Sequence, residues 1–460
     1  MSEPIYLEVA RVSSWPEIRD SRTVQAGRAT GTVIRCGVLD TILADLPISV
    51  VFFYEKAADT DLLAQGLSRA LEQLPVFGGR LRTEGELLEL VCDDAGVSLS
   101  TYDVDETLPE AVARVTMPGS GYADNVDAPK ARLGGLPLFT ARISRLSDGG
   151  MVIGCSWHHA VGDLHSFMLL MQAWSAAVEG QPLPEALLVE DPDSYFADRL
   201  PATDCGRPGF RLLDAEQMAG LNAEIERSMR TNRTVQIYFG DAELERMRED
   251  FSAAAGRRLS RNDVVCAHMM SVLRELNDDH EDRFMALPVN IRARLDLPMA
   301  GVGNLVNEIY LRCKGDLPAP ALALEIRNQV DNFIEGHLNA RANRKFLEEL
   351  GRDRFGDCVP IGFDPVNRTL TISNWTRAAM YDIPFGGHRP VLASPMANLQ
   401  LPWIAWLLEG FDNTGLMLTI GVPARLAQRM RGGDGLATLH RYRDEDDQLP
   451  LLARAVRKLI

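Results

Sequence analysis

No apolar run in this 460-residue chain approaches the length a membrane-spanning helix needs, about 18 residues, which argues against a helical membrane protein. Low-complexity tracts are absent, so the whole sequence reads as foldable. Positive charge is in deficit: 48 Lys and Arg face 64 Asp and Glu, a net charge of −16 at pH 7. That balance argues against broad nucleic-acid binding or an anionic membrane surface as the main task, while leaving room for a local basic pocket. Cysteine offers no scaffold either. The seven cysteines (Cys36, Cys92, Cys155, Cys205, Cys266, Cys313, Cys358) are odd in number and contain no CxxC pair, which fits a reducing compartment. The opening residues, Met1-Ser2-Glu3-Pro4-Ile5-Tyr6-Leu7-Glu8, lack a basic-then-apolar signal pattern, so the expectation is a soluble cytoplasmic protein. What is present is ordinary globular composition, 46% apolar and 24% charged, in a chain long enough for two domains with a core each.

The chemistry concentrates in Ser156-Trp157-His158-His159-Ala160-Val161-Gly162-Asp163. Strand-like runs Leu138 to Leu146 and Met151 to Trp157 flank Ser147-Asp148-Gly149-Gly150, a hairpin signal, and the second strand delivers His159. Leu164, Phe167, Met168, Met171 and Val178 then fall on one face of a helix. A histidine where a strand passes into a helix projects out of the sheet in a fixed direction, and imidazole can accept a proton near neutral pH. Asp163 can fix the ring or the loop; equally, Asp163 or Ser166 can cap the helix. His158, His159, Asp163 and His165 crowd together as metal ligands would. Successive strand side chains point to opposite faces, however, so His158 and His159 are poorly placed to share one ion, and no metal is expected.

Around this stretch the chain reads as alternating strands and helices. Val38-Leu39-Asp40 precedes a strand, Ile48 to Tyr54, and a helix, Asp61 to Glu72, that ends at Leu74-Pro75-Val76-Phe77-Gly78-Gly79-Arg80-Leu81. From Gly180 to about Thr231 there are five prolines and few periodic apolar positions, which reads as an unstructured crossover between domains. The expected division is therefore 1–185, a crossover at 186–231, and 232–460. The second half opens with the strand Thr234 to Phe239. There Ser260-Arg261-Asn262-Asp263 forms a capping-box pattern before the helix Val264 to Leu276. Next come Pro288-Val289-Asn290-Ile291-Arg292-Ala293-Arg294-Leu295 and Gly301-Val302-Gly303-Asn304-Leu305-Val306, then Thr371-Ile372-Ser373-Asn374-Trp375 and Tyr381-Asp382-Ile383-Pro384-Phe385-Gly386-Gly387-His388-Arg389-Pro390. An arginine buried beside a sheet must find an anion or carbonyl, so Arg292 is expected to form a structural ion pair.

His158-His159-x-x-x-Asp163 resembles the HHxxxD signature of the CoA-dependent acyltransferase superfamily, and the later blocks resemble, in order, the V-N-x-R-x-R-L, G-x-x-x-N, S-x-W and D-F-G-W-G motifs of its BAHD acyltransferases. The last match is eroded: Pro384 stands for the motif Asp, Gly387 for Trp and His388 for the second Gly, with Asp382 two residues early. The resemblance implies an α/β fold of two chloramphenicol acetyltransferase-like domains with a tunnel between them, open to both faces. It implies His159 as general base and Asp163 beside it as catalytic residues. It implies Ser373 and Trp375 as oxyanion or substrate-lining donors, and Ser260 near the cofactor channel. Acyl-CoA would be a co-substrate, with no permanently bound cofactor and a small-molecule acceptor, in a protein expected to be monomeric. A stand-alone condensation domain fed by a carrier protein, or a binding protein with a relic site, are the alternatives.

Overall fold

Every residue of the strand Met151–His158 is buried, as expected of a central strand covered on both faces. In the computed structural model this strand pairs antiparallel with Phe139–Leu146 on one side and Pro47–Tyr54 on the other. The structure describes residues 18–455, apart from 85–86, 116, 118–119, 397–400 and 402; the amino-terminal segment weighed above as a signal sequence lies outside the described residues. The first sheet has six strands in the order Ile18–Val24, Val97–Val104, Phe139–Leu146, Met151–His158, Pro47–Tyr54 and Leu392–Pro395. Helices Thr60–Gln73 and Leu164–Val178 pack on it, pinned together where the Trp174 indole N–H donates to the Leu63 carbonyl at 2.8 Å. Trp157 and Phe167 stack face to face at 4.2 Å, fixing the second helix over the histidine strand.

The second sheet also has six strands, ordered Asn232–Phe239, Leu416–Pro423, Ile404–Glu409, Leu370–Asn374, Arg283–Asn290 and Val306–Cys313. Its core is filled by helix Arg261–Asn277, whose Val264, Val265, Met269 and Val272 are fully buried. The two sheets are joined where the Gln236 amide donates to Ser394 Oγ at 2.8 Å.

Two expectations about organisation differ from the structure. The strand Leu392–Pro395, which the division by sequence placed in the carboxy-terminal domain, is the edge strand of the first sheet, antiparallel to Pro47–Tyr54. The preceding block is carried with it. Phe385 sits edge-on to Tyr54 and Trp174, Ser175 Oγ donates to the Pro384 carbonyl at 2.6 Å, and Tyr54 donates to the Ile383 carbonyl at 3.1 Å. The second difference is the crossover at 186–231, which is not structureless: it holds helix Pro192–Ala197, strand Phe210–Leu212 and the helix Ala215–Thr231. Asp214 and Gln217 close a capping box at the start of the longest of these, and Leu221 packs with Met218 and Ile225 on Val359 and Phe363. Its apolar stripe is too narrow to stand out from a polar background, which is why periodicity missed it.

Candidate active site

Strand Met151–His158 passes into a single tight turn, His159–Val161, before Asp163 caps helix Leu164–Val178. Backbone bonds fix the turn from both flanking strands: the His158 N–H donates to the Leu138 carbonyl at 2.8 Å and the His159 N–H to the Leu46 carbonyl at 3.0 Å. Gly162 is required by conformation and by space. Its φ is +155°, and a Cβ there would lie 2.6 Å from Ser166. The Trp157 indole N–H donates to the Gly162 carbonyl at 3.0 Å, tying the end of the turn back to the strand.

The two histidines are not equivalent. His158 is fully buried; its Nδ1 accepts the Ala160 N–H at 3.1 Å, so its Nε2 carries the hydrogen that meets the Ala128 carbonyl at 3.2 Å. Burial lowers its pKa to about 4, the carbonyl opposing only in part. It is a neutral, satisfied structural residue near pH 7. His159 is partly exposed, and its Nδ1 is buried with no hydrogen-bond partner. Burial lowers its pKa too, with its own carbonyl, Asp163 and the Asn304 side chain opposing. Among the described residues no group of three or more His, Cys, Asp or Glu could hold a metal ion.

Asp163 makes no hydrogen bond to either ring. One carboxylate oxygen accepts the Ser166 N–H at 3.0 Å; the other accepts the Leu305 N–H at 3.1 Å and the Arg292 guanidinium at 2.6 Å. Arg292 has no exposed side-chain surface and also donates to the Gly301 and Gly303 carbonyls at 3.0 Å each. Burial would raise the Asp163 carboxyl, but the Arg292 charge outweighs it and holds the pKa below the usual carboxylate range. From the second half of the chain, Arg292 through a buried ion pair and the loop 301–305 through its backbone groups therefore clasp Asp163 at the end of the His159 turn.

Ser373 and Trp375 lie together at the end of strand Leu370–Asn374, where the Trp375 indole N–H donates to Ser373 Oγ at 2.9 Å. The indole hydrogen is thereby spent, leaving the Ser373 hydroxyl hydrogen as the one free to donate outward. Beside them the Asn374 amide donates to Asn262 Oδ1 at 2.7 Å, tying this strand end to the start of helix Arg261–Asn277. Ser260 caps that helix in a box with Asp263: Ser260 Oγ accepts the Asp263 N–H at 3.2 Å. Arg257, Arg258 and Arg261 cluster at the same helix start. Asp382, by contrast, is exposed and paired with Arg389 at 3.0 Å, far out on the surface block. Two residues with no chemistry assigned from sequence do reach the turn. The Asn304 amide donates to the His159 carbonyl at 2.8 Å and to Asp40 at 2.7 Å. Asn304 had a signal in its place in the G-x-x-x-N match; Asp40, in Val38-Leu39-Asp40, had none.

A histidine on a strand-to-helix turn, clamped through an Asp–Arg pair by a second sheet-based half, on a two-part α/β fold of chloramphenicol acetyltransferase type, defines a CoA-dependent acyltransferase. A sequence profile of the Transferase family matches residues 18–425, and the chain belongs to that family, the BAHD acyltransferases, which take acyl-CoA as co-substrate and small molecules as acceptors. Among curated relatives, agmatine coumaroyltransferase-1 of Hordeum vulgare is 25% identical over 84% of this chain and 89% of its own. Among solved structures, vinorine synthase superposes with a TM-score of 0.68 at 19% identity, covering 92% of this chain and 98% of that one. TRI101 of F. graminearum, complexed with coenzyme A and deoxynivalenol, superposes with a TM-score of 0.71 at 12% identity, covering 88% and 98%. No helix among the described residues is long and apolar enough to cross a membrane.

Proposed function

We propose that this chain transfers an acyl group from acyl-CoA to a hydroxyl or amine of a small specialised metabolite, in a ternary complex, with His159 as general base. The observation that carries the reading is the contrast within the cluster: His158 and Asp163 are fully committed to structural bonds, while His159 is partly exposed and its Nδ1 has no hydrogen-bond partner. An alcohol is far too weak an acid to attack unaided at neutral pH. As its oxygen attacks the thioester carbonyl, His159 Nε2 takes its proton, a contribution of about 10²–10⁴-fold from a positioned base. The carbonyl π pair moves onto oxygen, and the Ser373 hydroxyl donates to that oxyanion, with Trp375 orienting Ser373 from behind. Collapse of the tetrahedral intermediate breaks the C–S bond, and the imidazolium returns its proton to the departing thiolate. No acyl-enzyme is needed, and no residue is consumed.

The acyl-CoA enters a passage between the two halves from the side of Ser260, where Arg258 supplies positive charge for its phosphates beside Arg257 and Arg261, which are paired with Asp331 and Asp241. Asp163 acts on His159 by holding the turn rather than by relaying charge. The protein works as a cytoplasmic monomer. The test is release of free CoA thiol when purified protein meets acetyl-CoA or coumaroyl-CoA with a panel of amine acceptors such as agmatine and of alcohol acceptors, with products identified by mass. Acceptor-dependent thiol release with a matching acylated product is expected; no acylated product with any donor in the panel would overturn the reading.

A further inference from the structure

Asn304 sits in the loop between strands Arg283–Asn290 and Val306–Cys313, directly after Gly303, whose φ is +135°. Its side chain crosses to the first half of the molecule. There its Nδ2 donates to Asp40 Oδ1 at 2.7 Å and to the His159 carbonyl at 2.8 Å. Both partners are acceptors, so the two amide hydrogens must face them, and the orientation of the amide follows from chemistry. The Asn304 oxygen is left buried and unpartnered, and so is His159 Nδ1. These are complementary atoms on neighbouring side chains, one an acceptor and the other able to carry a hydrogen; leaving both unmatched costs free energy. The Asn304 side chain is indeed among the groups that stabilise the protonated His159 ring, after His159's own carbonyl and Asp163.

Asp40 fixes this arrangement. It lies in helix Val38–Ile42 and is buried, with one oxygen on Asn304 and the other accepting the Gly37 N–H at 2.7 Å. Burial, with Asp193 and Asp163 adding, raises its pKa to about 6 against the bonds from Asn304 and Gly37. Above that pH the carboxylate can only accept, which forbids the flipped amide. Resting on the general-base reading of His159, we propose that Asn304 and Asp40 are positioning residues: Asp40 holds the Asn304 amide so that its oxygen receives the His159 Nδ1–H, leaving the Nε2 lone pair to take the acceptor's proton. Asp163, the residue that sequence alone puts beside the histidine, makes no such bond.

The test uses full-length protein labelled with [15N]histidine, without substrates, at pH 7.5. Long-range nitrogen–proton NMR correlations report the tautomer of each ring, and H159Q identifies the His159 signal. Wild-type protein should show the hydrogen on Nδ1; a hydrogen on Nε2 would overturn the proposal whatever any variant does. In D40N the new amide can donate to the Asn304 oxygen, so Asn304 should flip and the His159 hydrogen should move toward Nε2. With that shift kcat should fall by about 10- to 100-fold, within the range a positioned base supplies, with KM for acyl-CoA within about two-fold. In N304D a carboxylate beside Nδ1–H should raise the imidazole pKa and move the acid limb of kcat/KM to higher pH. An unchanged tautomer in folded D40N, or an unmoved acid limb in folded N304D, would count against a positioning role. An inactive wild-type protein with the Nδ1–H tautomer would instead count against the acyltransfer reading alone.

Discussion

Replacing Asp163 by Asn separates the structural use of this residue from a catalytic one. The Asn oxygen can still accept the Ser166 N–H, so the helix cap survives. What is lost is the counter-charge to Arg292, a guanidinium with no exposed side-chain surface and a 2.6 Å bond to Asp163. Breaking one partner of a buried pair leaves an uncompensated charge and costs about 3–5 kcal/mol. A chain of 460 residues has an unfolding entropy near Tm of about 1 kcal/mol/K, so the expected drop is about 3–5 °C. The pH dependence has a definite sign. The Asp163 carboxyl titrates below its ordinary value in the folded state, so its stabilisation is present above the unfolded carboxylate pKa and is lost as pH falls through the folded one. D163N should therefore differ most from wild type near pH 7 and converge with it in acid. Scanning calorimetry at pH 3–8 checks this, and a D163N/R292M double mutant should be less destabilised than the two single variants predict together. Activity should fall with Tm, because the His159 turn loses its clasp. Unchanged Tm with activity as low as that of H159A would refute the reasoning and put Asp163 directly on the histidine.

Three further predictions follow from neighbouring geometry. H158A removes the acceptor of the Ala160 N–H and the donor to the Ala128 carbonyl, so it should cost about 1–3 kcal/mol in denaturant melts. Its kcat should stay far above that of H159A, and equal losses at both positions would point to a joint site. G162A should destabilise by about 1–3 kcal/mol and depress turnover, because its Cβ would lie 2.6 Å from Ser166 at a φ of +155°; wild-type Tm and rate would contradict this. Glu308 is raised to about 7 by burial, with the Gly362 N–H the one opposing bond, so the folded state holds its proton longer than the unfolded chain. Wild-type stability should thus fall relative to E308Q as pH rises from about 4.5 to about 7, and parallel Tm curves would contradict it.

The local part of this site was legible because it follows chain-local rules. The hairpin that delivers His159, the amphipathic helix behind it, and the Ser260–Asp263 box all depend on residues within a few positions of each other, and all appear in the structure. His158 closes the strand and His159 opens the turn, so the two rings meet different surroundings. What sequence did not reveal is long-range. Asp40 and Asn304 meet across 264 positions, and Asp163 and Arg292 across 129; an ion pair at Arg292 was expected from sequence, but no periodicity announces which residue either partner meets. Leu392–Pro395 joins the first sheet because Tyr54 and Trp174 offer a slot for Phe385, a packing fact with no local signature. Helix Ala215–Thr231 was lost among prolines that precede it, although its capping box was readable.

H159A tests most directly whether His159 is the base. Acceptor-dependent CoA release by wild type and H159A should be compared at saturating acyl-CoA, with Tm measured on the same samples. In H159A kcat should fall by at least about 10²-fold with Tm nearly unchanged, since the ring is removed and His158 is committed elsewhere. Turnover within a few-fold of wild type in folded H159A would contradict it.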